Sequence, residues 1–418
     1  MKLFVIDPGL DSDSGHHAGF LSLLLSIKHK EVSKNHQFIV FSHQSLQGKT
    51  YQWAKNSGII VYPHFRSRFY DVFETDKNAI ELNNYINQLA LEYLSAMQQI
   101  QSQTESGIIL YHTMDWPHLF ALNLALQLNE SGNNEILHAV FLMFNLGISH
   151  SEITLNLNRR LHYYLALQRI IKYPRVKIYA SCFEISVSCQ VMLGKNSITG
   201  LHPCFLINDY YSSMLIDNNQ TKFVSLNNSV FTLYLGDAKD NKGFLTLPNH
   251  LEQISKIPAP DLSVQIHYNT DIGLTSEAID KTIFKIKTCA SKDKRIFLFE
   301  CFLDHVAWIE VIRNSNLIIM EYDCDYYSNK TSGLLWLTSY LEKPLILIGE
   351  SWLSREARRL NPWIQIFSTR FDFYNALVNE GGISFNRNLI DIGYRTSLFQ
   401  PFTEFIESLE KLSTSQVN

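Results

Sequence analysis

Short apolar runs alternate with longer stretches of helical periodicity along this sequence, and the alternation occurs in two successive series. Strand-like runs occupy residues 2–6, 38–41, 108–111, 139–144 and 176–180, and then 230–235, 263–268, 295–299, 317–320, 345–348 and 364–367. Helical patterns separate them, because apolar side chains recur every three or four residues between the runs. Alternating strands and helices are typical of a mostly parallel, doubly wound sheet. The predicted fold class is therefore α/β, with two Rossmann-like domains.

The length of 418 residues exceeds what one ordinary hydrophobic core holds, which favours two domains. Residues 207–228 lose the periodicity and are rich in Asn, Asp, Ser and Tyr, so we interpret them as the linker. The predicted domains are residues 1–206 and 229–395, and residues 396–418 form a crossing helix and tail. In that tail Phe402, Phe405, Ile406 and Leu409 recur at helical spacing, which predicts an apolar stripe that packs on the first domain.

Composition and charge bear on the class of protein. The chain is 46% hydrophobic and 18% charged with a net charge of −4, which is typical of a soluble globular protein and does not favour a nucleic-acid partner. The six cysteines include no Cys-x-x-Cys pair and resemble the reduced thiols of a cytosolic protein. No apolar run reaches the length of a membrane span. We expect a cytoplasmic protein; the basic helical face of Arg355, Arg358 and Arg359 leaves open a peripheral contact at the inner face of the membrane.

Residues 316–349 form one strand–loop–helix–strand unit. A strand at 317–320 leads into a polar, Tyr-rich loop, and Thr331, Ser332 and Gly333 then open a helix. That loop follows the carboxyl end of a parallel strand, where open α/β sheets bind ligands. Backbone N–H groups and the helix dipole at such a helix start favour an anion such as phosphate. The alternative is a Ser/Thr N-cap followed by a flexible turn.

A second glycine-containing loop follows the first strand of the second series. Gly236 ends that strand, and Lys242 and Gly243 open the next helix. Gly236 allows close backbone approach, and Lys242 can place a cation near a phosphate. The alternative is a polar surface turn with a solvated lysine. Because both loops follow strands of one sheet, we expect them to line the same crevice.

Two groups of histidines stand at predicted strand ends of the first series. His16 and His17 lie beside Gly15 in a polar loop, where they can donate to a diphosphate or an acceptor oxygen, or remain solvated. The other group consists of His112, Asp115 and His118.

These three residues can supply a general base or bind an acceptor; the alternative is a strand-end histidine and a helix-capping aspartate. No pair of histidines has the Cys or carboxylate spacing of a metal site, so no metal is predicted.

Loop 321–330 carries tyrosines and acidic residues together. Tyr327 can stack on a base or a sugar, or pack the loop. Glu321, Asp323 and Asp325 are interpreted as a solvated acidic loop rather than a cation site.

Four segments together resemble glycosyltransferases of the GT-B type, nearest the large retaining, glycosyltransferase family 4-like group. Tyr234-Leu235-Gly236 followed by Lys242-Gly243 is similar to the family's donor-phosphate element. Thr331-Ser332-Gly333, a helix and Lys343-Pro344 are similar to its donor-site element. The loop with Gly15, His16 and His17 sits where the family has a loop facing the donor diphosphate. The segment His112-Thr113-Met114-Asp115-Trp116 resembles a His-x-His-Asp-Trp strand end.

The resemblance implies two domains that face a central cleft, with a C-terminal helix crossing back to the first domain. It implies an acceptor-side first domain, which carries Asp115 and His118, and a second domain that binds the nucleotide-sugar. It further implies His16, His17 and His112 as the catalytic side, and Gly15, Gly236, Lys242, Gly243, Tyr327, Thr331, Ser332 and Gly333 as the donor-phosphate side. The nucleotide-sugar is a co-substrate, no further cofactor or metal is expected, and the acceptor is a glycan, a lipid-linked group or a protein. An oligomer is left open.

The sequence departs from the family pattern at two functional positions. Family members carry a ribose-binding Glu on the helix after the donor loop, and Leu337, or alternatively Thr338, occupies that position here. The histidine before Asp-Trp falls on Met114. These departures motivate an alternative hypothesis, a partner or scaffold subunit that binds nucleotide or glycan without turnover. A two-domain epimerase of similar architecture is a third.

Overall fold

The computed structural model describes residues 2–12, 15–28, 36–72, 78–129, 135–148, 154–194, 197–204, 220–270, 276–303 and 305–415. The chain divides into two compact units. Unit 1 comprises Met1–Ser212 and Thr396–Asn418, and unit 2 comprises Ser213–Arg395. Each unit is built around its own parallel sheet.

Unit 1 contains a seven-stranded sheet in the order β3-β2-β1-β4-β5-β6-β7, and every pairing in it is parallel. Its strands are β1 (Lys2–Asp7), β2 (Gln37–His43), β3 (Ile60–Phe65), β4 (Gly107–Met114), β5 (Ile136–Leu142), β6 (Val176–Ala180) and β7 (Gly200–Leu201). The helices between them are α1 (Gly15–Lys28), α2 (Lys49–Asn56), α3 (Ala79–Gln101), α4 (Trp116–Leu128), α5 (Leu157–Ile170) and α6 (Phe183–Leu193). Strand β4 is buried along its whole length, which is typical of a central parallel strand covered on both faces.

Unit 2 contains a six-stranded parallel sheet in the order β11-β10-β9-β12-β13-β14, and a separate antiparallel pair of β8 with β15. Its strands are β8 (Thr221–Ser225), β9 (Val230–Asp237), β10 (Ser263–Asn269), β11 (Ile296–Glu300), β12 (Leu317–Met320), β13 (Leu345–Ile348), β14 (Ile364–Phe367) and β15 (Gly382–Asn386). Its helices are α7 (Leu247–Ser255), α8 (Glu277–Lys292), α9 (His305–Asn314), α10 (Gly333–Tyr340), α11 (Trp352–Leu360), α12 (Arg370–Glu380) and α13 (Ile392–Leu398), the last of which spans the boundary between the units.

The last helix, α14 (Phe402–Ser415), belongs to unit 1. Phe402, Phe405, Ile406 and Leu409 lie in the same buried cluster as the apolar side chains of β1, β4 and β5. The predicted apolar stripe, and its packing on the first domain, are therefore confirmed.

The two parallel-sheet α/β units confirm the predicted fold class, but three local predictions differ from the structure. Residues 207–219 of the predicted linker lie outside the described residues, whereas Thr221–Ser225 form β8, in which the Val224 side chain is buried. Strand β3 was not predicted, because Pro63 interrupts its apolar pattern; it lies at the edge of the sheet, where proline is tolerated. Helix α1 begins at Gly15, so His16 and His17 lie in a helix and not in a loop.

None of the helices that the structure describes is both long enough and apolar enough to cross a bilayer.

Candidate functional site

In unit 2, the carboxyl ends of the neighbouring strands β9 and β12 are joined by a close backbone approach. After β9 the chain makes two short 3₁₀ turns, at Asp240–Lys242 and Phe244–Thr246, before α7 begins. Gly243 lies between the turns with a φ of 78°, and a Cβ there would lie 2.0 Å from the carbonyl oxygen of Glu321. Only glycine satisfies both the left-handed backbone and the contact. The turn after β9 is thereby held against the end of β12.

The ammonium group of Lys242 lies over Gly236. A Cβ at Gly236 would be 3.5 Å from Lys242 Nζ, which is an ordinary van der Waals contact, and it is the φ of 138° that favours glycine here. Lys242 Nζ also lies 3.7 Å from Asp237 Oδ2. Burial lowers the pKa of Lys242, and the charge of Asp237 partly opposes that shift. The structure thus brings together Gly236 and Lys242 as predicted.

The start of α10 is a capped helix terminus. Ser332 is its N-cap residue, and Ser332 Oγ accepts from the backbone N–H of Leu335 at 3.5 Å. Ser332 is buried, Thr331 and Gly333 are half-buried, and a side-chain hydrogen bond links Ser332 to Tyr322. The N-cap alternative is confirmed. A capped start still leaves first-turn N–H groups outside the helical hydrogen-bond ladder, so it remains compatible with an anion.

A small cavity of about 10 Å³, roughly the size of one water molecule, lies between the two loops. Its lining includes Lys242 and Gly243 from the β9 loop, Tyr322 from the β12 loop and Leu334 from α10. Tyr327 is buried, with its ring centroid 4.7 Å from that of Tyr322. Tyr327 therefore packs the loop, and its exposed surface is too small for the predicted stacking on a base.

Glu321 was interpreted from the sequence as part of a solvated acidic loop, and the structure shows otherwise. It is not solvated: Oε2 lies 2.5 Å from His250 Nε2 and accepts from Thr246 Oγ1 at 3.0 Å, and Oε1 accepts from Arg370 Nη2 at 2.7 Å. Burial by itself raises the pKa of Glu321, but His250 and Arg370 outweigh it and hold the pKa below its ordinary value. The available signal was the position of Glu321, directly after a fully buried strand.

Helix α10 supplies no carboxylate to this region. Residues 334–340 are all buried, and Leu337 is 1% exposed. Thr338, the other candidate for the ribose-binding position, is fully buried. Both positions therefore hold buried core side chains, and neither supplies a carboxylate that could bind a ribose.

In unit 1, three histidines converge beside the end of β1. The first turn of α1 carries His16 and His17, and β4, the neighbour of β1, carries His112. His17 Nδ1 lies 2.7 Å from Asp7 Oδ1. One nitrogen of each histidine can be chosen so that the three lie within 4.8 Å of one another.

Burial distinguishes these histidines. His112 is fully buried and His17 is 4% exposed, whereas His16 is half-buried. Burial, together with the neighbouring His17 and His16, lowers the pKa of His112 well below 6.5. The predicted contacts of His17 and His112 with a diphosphate or an acceptor are not supported, because neither side chain offers appreciable surface. Gly15 is exposed at the start of α1.

Asp115 and His118 were predicted on the acceptor side, and the structure contradicts that placement. Both side chains are fully buried. Asp115 caps α4 and accepts from Arg159 Nη2 through both oxygens at 2.9 Å, and His118 Nε2 lies 3.0 Å from the Tyr85 hydroxyl. Burial lowers the pKa of His118 to about 4. The capping alternative for Asp115 is correct, and Met114 is a buried residue of β4.

Comparisons with known proteins find relatives by structure only. No family model and no curated protein sequence matches the chain. A candidate UDP-N-acetylglucosamine 2-epimerase from Listeria monocytogenes is similar with a TM-score of 0.57 and 12% identity, covering 100% of this chain and 97% of that one. The lipopolysaccharide outer core galactosyltransferase WaaB, in its apo form, gives 0.54 and 11%, covering 98% and 99%.

Anabaena HepE in complex with UDP and glucose gives a TM-score of 0.51 and 8% identity, covering 100% of this chain and 99% of that one. Identities this low establish similarity of fold. Over nearly its whole length, the chain has the two-unit, parallel-sheet fold of the GT-B proteins that the sequence resembled.

Proposed function

We propose that this chain is a glycosyltransferase that binds a nucleotide-sugar donor on unit 2 and transfers the sugar to a glycan, a lipid-linked group or a protein. The observation that carries the proposal is the position of Lys242, whose ammonium lies over Gly236 at the end of β9. The first turn of α10 lies beside this lysine, because Leu334 and Lys242 line the same small cavity. The fold is shared with WaaB, a galactosyltransferase, and with HepE, which was solved with UDP and glucose.

The proposed chemistry is stabilisation of a diphosphate leaving group. Lys242 and the N–H groups at the start of α10 neutralise the charge that develops on the diphosphate as the bond to the sugar breaks. Gly236 and Gly243 let the backbone approach the phosphates. In this proposal donor binding needs neither a divalent metal nor a cofactor. A retaining, family 4-like outcome is the finer form of the proposal, and it rests on the sequence motifs.

The test is binding of nucleoside diphosphates by calorimetry in buffer that contains EDTA, with UDP, GDP and ADP as probes. Lys242→Ala should weaken binding by roughly tenfold or more, because a charge-assisted hydrogen bond contributes about 1.5–3 kcal/mol. Ser332→Ala should weaken it less. Lys256→Ala is the matched control, because this lysine directly follows α7 and is 58% exposed. Unchanged affinity in both test variants would remove the proposed site.

A second candidate function is a partner or scaffold subunit that binds nucleotide or glycan without turnover. It is favoured by the buried Leu337, an apolar side chain where the resembled family has its ribose-binding Glu. Sugar nucleotides should be screened for thermal stabilisation, hydrolysis and transfer, with a cell extract as the acceptor source. Stabilisation without hydrolysis or transfer would favour this candidate. An epimerase would instead interconvert a free sugar nucleotide with no acceptor present.

A further inference from the structure

The histidines at the end of β1 have the features of a ligand site rather than of an ordinary core. Two of them, His17 and His112, are almost or completely buried. Both ring nitrogens of His17, and Oδ2 of Asp7, make no hydrogen bond among the residues that the structure describes. Buried polar atoms normally have partners, and a ligand bound beside these atoms would supply them.

Asp7 orients the ring of His17. Asp7 Oδ1 lies 2.7 Å from His17 Nδ1, and it accepts a hydrogen bond from the backbone N–H of Gly9 at 3.1 Å. A carboxylate at this position favours the proton on Nδ1, which leaves the lone pair on Nε2. Histidines that bind metals in proteins almost always have such a second partner behind the ring.

Packing holds the rings in place. A Cβ at Gly9 would lie 2.3 Å from His17 Cε1, so only a glycine lets the backbone lie this close to the imidazole. The ring of Phe20 stacks on that of His112 with centroids 4.2 Å apart and an angle of 14°. The ring of His16 lies beside that of His17, with centroids 4.0 Å apart. The three side chains therefore converge before any ligand binds.

The distances suit a small ion with imidazole ligands. The three nitrogens lie within 4.8 Å of one another. A Zn²⁺ ion at about 2.0–2.1 Å from each nitrogen requires them somewhat closer, at roughly 3.4 Å in a tetrahedron. Closing that difference requires side-chain rotation, and His16, which is half-buried at the start of α1, is the least tightly packed of the three.

We propose that His16, His17 and His112 form a Zn²⁺ site in unit 1, with Asp7 as the positioning residue behind His17. Three histidines leave a fourth coordination position, as in catalytic zinc sites, and the half-buried side of His16 gives it access to water. The spacing rules applied to the sequence missed the site because two ligands come from a helix and the third from a strand distant in the chain. The inference is independent of donor binding, since all of its residues lie in unit 1.

The test uses the full-length chain, stripped of metal with EDTA and dialysed into metal-free buffer. Zn²⁺ is titrated against a competing chromophoric chelator, and bound metal is counted by mass spectrometry. We expect one equivalent per chain, and a Co²⁺-loaded sample should show the visible absorption of a low-symmetry site. His16→Gln and His17→Gln should each lower the affinity by roughly tenfold or more, and Asp7→Asn by about 10–100-fold.

His162→Gln is the matched control, because this half-buried histidine lies on α5 against Trp116. It should bind Zn²⁺ as the wild type does. The proposal is overturned if the stripped wild type takes up no Zn²⁺, or if His16→Gln and His17→Gln bind it unchanged. The His16 side chain is the least buried of the three, so His16→Gln should fold normally and still report on Zn²⁺ binding if His17→Gln does not fold.

Discussion

In each unit a close carboxylate–histidine pair lies beside the end of a central strand, and the two pairs differ in how fully they are bonded. In unit 2 both oxygens of Glu321 have partners, and His250 contacts Glu321 through Nε2 and the Tyr374 hydroxyl through Nδ1 at 2.8 Å. In unit 1 the pair is Asp7 with His17, and Asp7 Oδ2 and His17 Nε2 have no hydrogen-bond partner among the described residues.

This difference distinguishes a carboxylate–histidine pair that stabilises the fold from one that can bind a ligand. Residue types and distances are alike, at 2.5 Å for Glu321–His250 and 2.7 Å for Asp7–His17. A fully bonded pair stabilises the fold, because removing one member leaves the other buried without a partner. A partly bonded pair retains donor and acceptor capacity for a ligand. The number of donor and acceptor atoms left without a hydrogen bond, rather than the residue types, therefore indicates which pair binds a ligand.

The largest expected effect is a different acid sensitivity of the two units. In unit 1, burial lowers the pKa of His118, His138 and His202 to about 4, and in the described part of unit 2 His267 shows the same shift. The unfolded chain binds these protons near pH 6.5, so stability should fall as the pH drops from 6.5 towards 4. The loss should be on the order of several kcal/mol, and larger in unit 1.

Hydrogen exchange at pH 7 and pH 5 measures this difference, through the amides of β4 and β5 against those of β9 and β12. His202→Gln should recover part of the lost protection in unit 1. Equal losses in the two units would contradict the expectation.

The next effect tests the bonded pair itself. Glu321→Gln should lower the free energy of unfolding by about 3 kcal/mol, since it removes the charge that His250 and Arg370 share. Because the pKa of Glu321 is lowered in the folded state, this contribution is present above about pH 4.5 and is lost as the pH falls further. Urea denaturation at pH 7 and pH 4 checks both statements. The control Asp325→Asn, at an exposed site in the same loop, should cost under about 0.5 kcal/mol.

The matching change in unit 1 should be smaller. Asp7→Asn is expected to change the unfolding free energy of metal-free protein by less than about 1 kcal/mol, because the carboxylate makes few hydrogen bonds to lose. The same denaturation experiment measures it beside Glu321→Gln. If Asp7→Asn destabilises the protein as much as Glu321→Gln does, the two pairs are equivalent and the distinction fails.

The smallest effect concerns Asp237. Its partly exposed carboxylate contacts Lys239 at 3.2 Å and Lys242 at 3.7 Å. If Lys242 binds a diphosphate, Asp237 competes with it. Asp237→Asn should therefore tighten diphosphate binding by a few-fold, equivalent to about 0.5–1 kcal/mol. Calorimetry with UDP, GDP and ADP provides the measurement, and weaker binding would indicate that Asp237 itself contacts the donor.

The sequence predicted the elements whose side chains are uniformly apolar. Strands β4 and β12 are buried along their whole length, so their positions are visible as continuous runs. Gly236 was also identified at the end of its strand. Gly243 was predicted to open the next helix, but it lies between two 3₁₀ turns, and α7 begins only at Leu247. Strand β8 was missed, since the side chains around the buried Val224 are half-buried or exposed and the pattern is therefore largely polar.

The partners of the polar groups were beyond sequence reasoning. His250 and Glu321 are 71 residues apart, and Asp115 meets Arg159 from 44 residues away. Periodicity indicates which face of an element is buried, but it does not indicate which distant side chain will satisfy a buried charge. That is why Glu321 was interpreted as solvated, and why His16, His17 and His112, although grouped by the family resemblance, were not interpreted as ligands of a metal.

The place of α14 in unit 1 has a consequence for how the chain is made. A ribosome completes all of unit 2 before it delivers the helix whose Phe405 and Leu409 complete the core of unit 1. At roughly 5–20 residues per second, synthesis of Ser213–Arg395 takes on the order of ten to forty seconds. During that time the apolar surface that receives α14 is exposed on the nascent chain. Newly made unit 1 is therefore a natural client for a chaperone until the last turn of helix emerges.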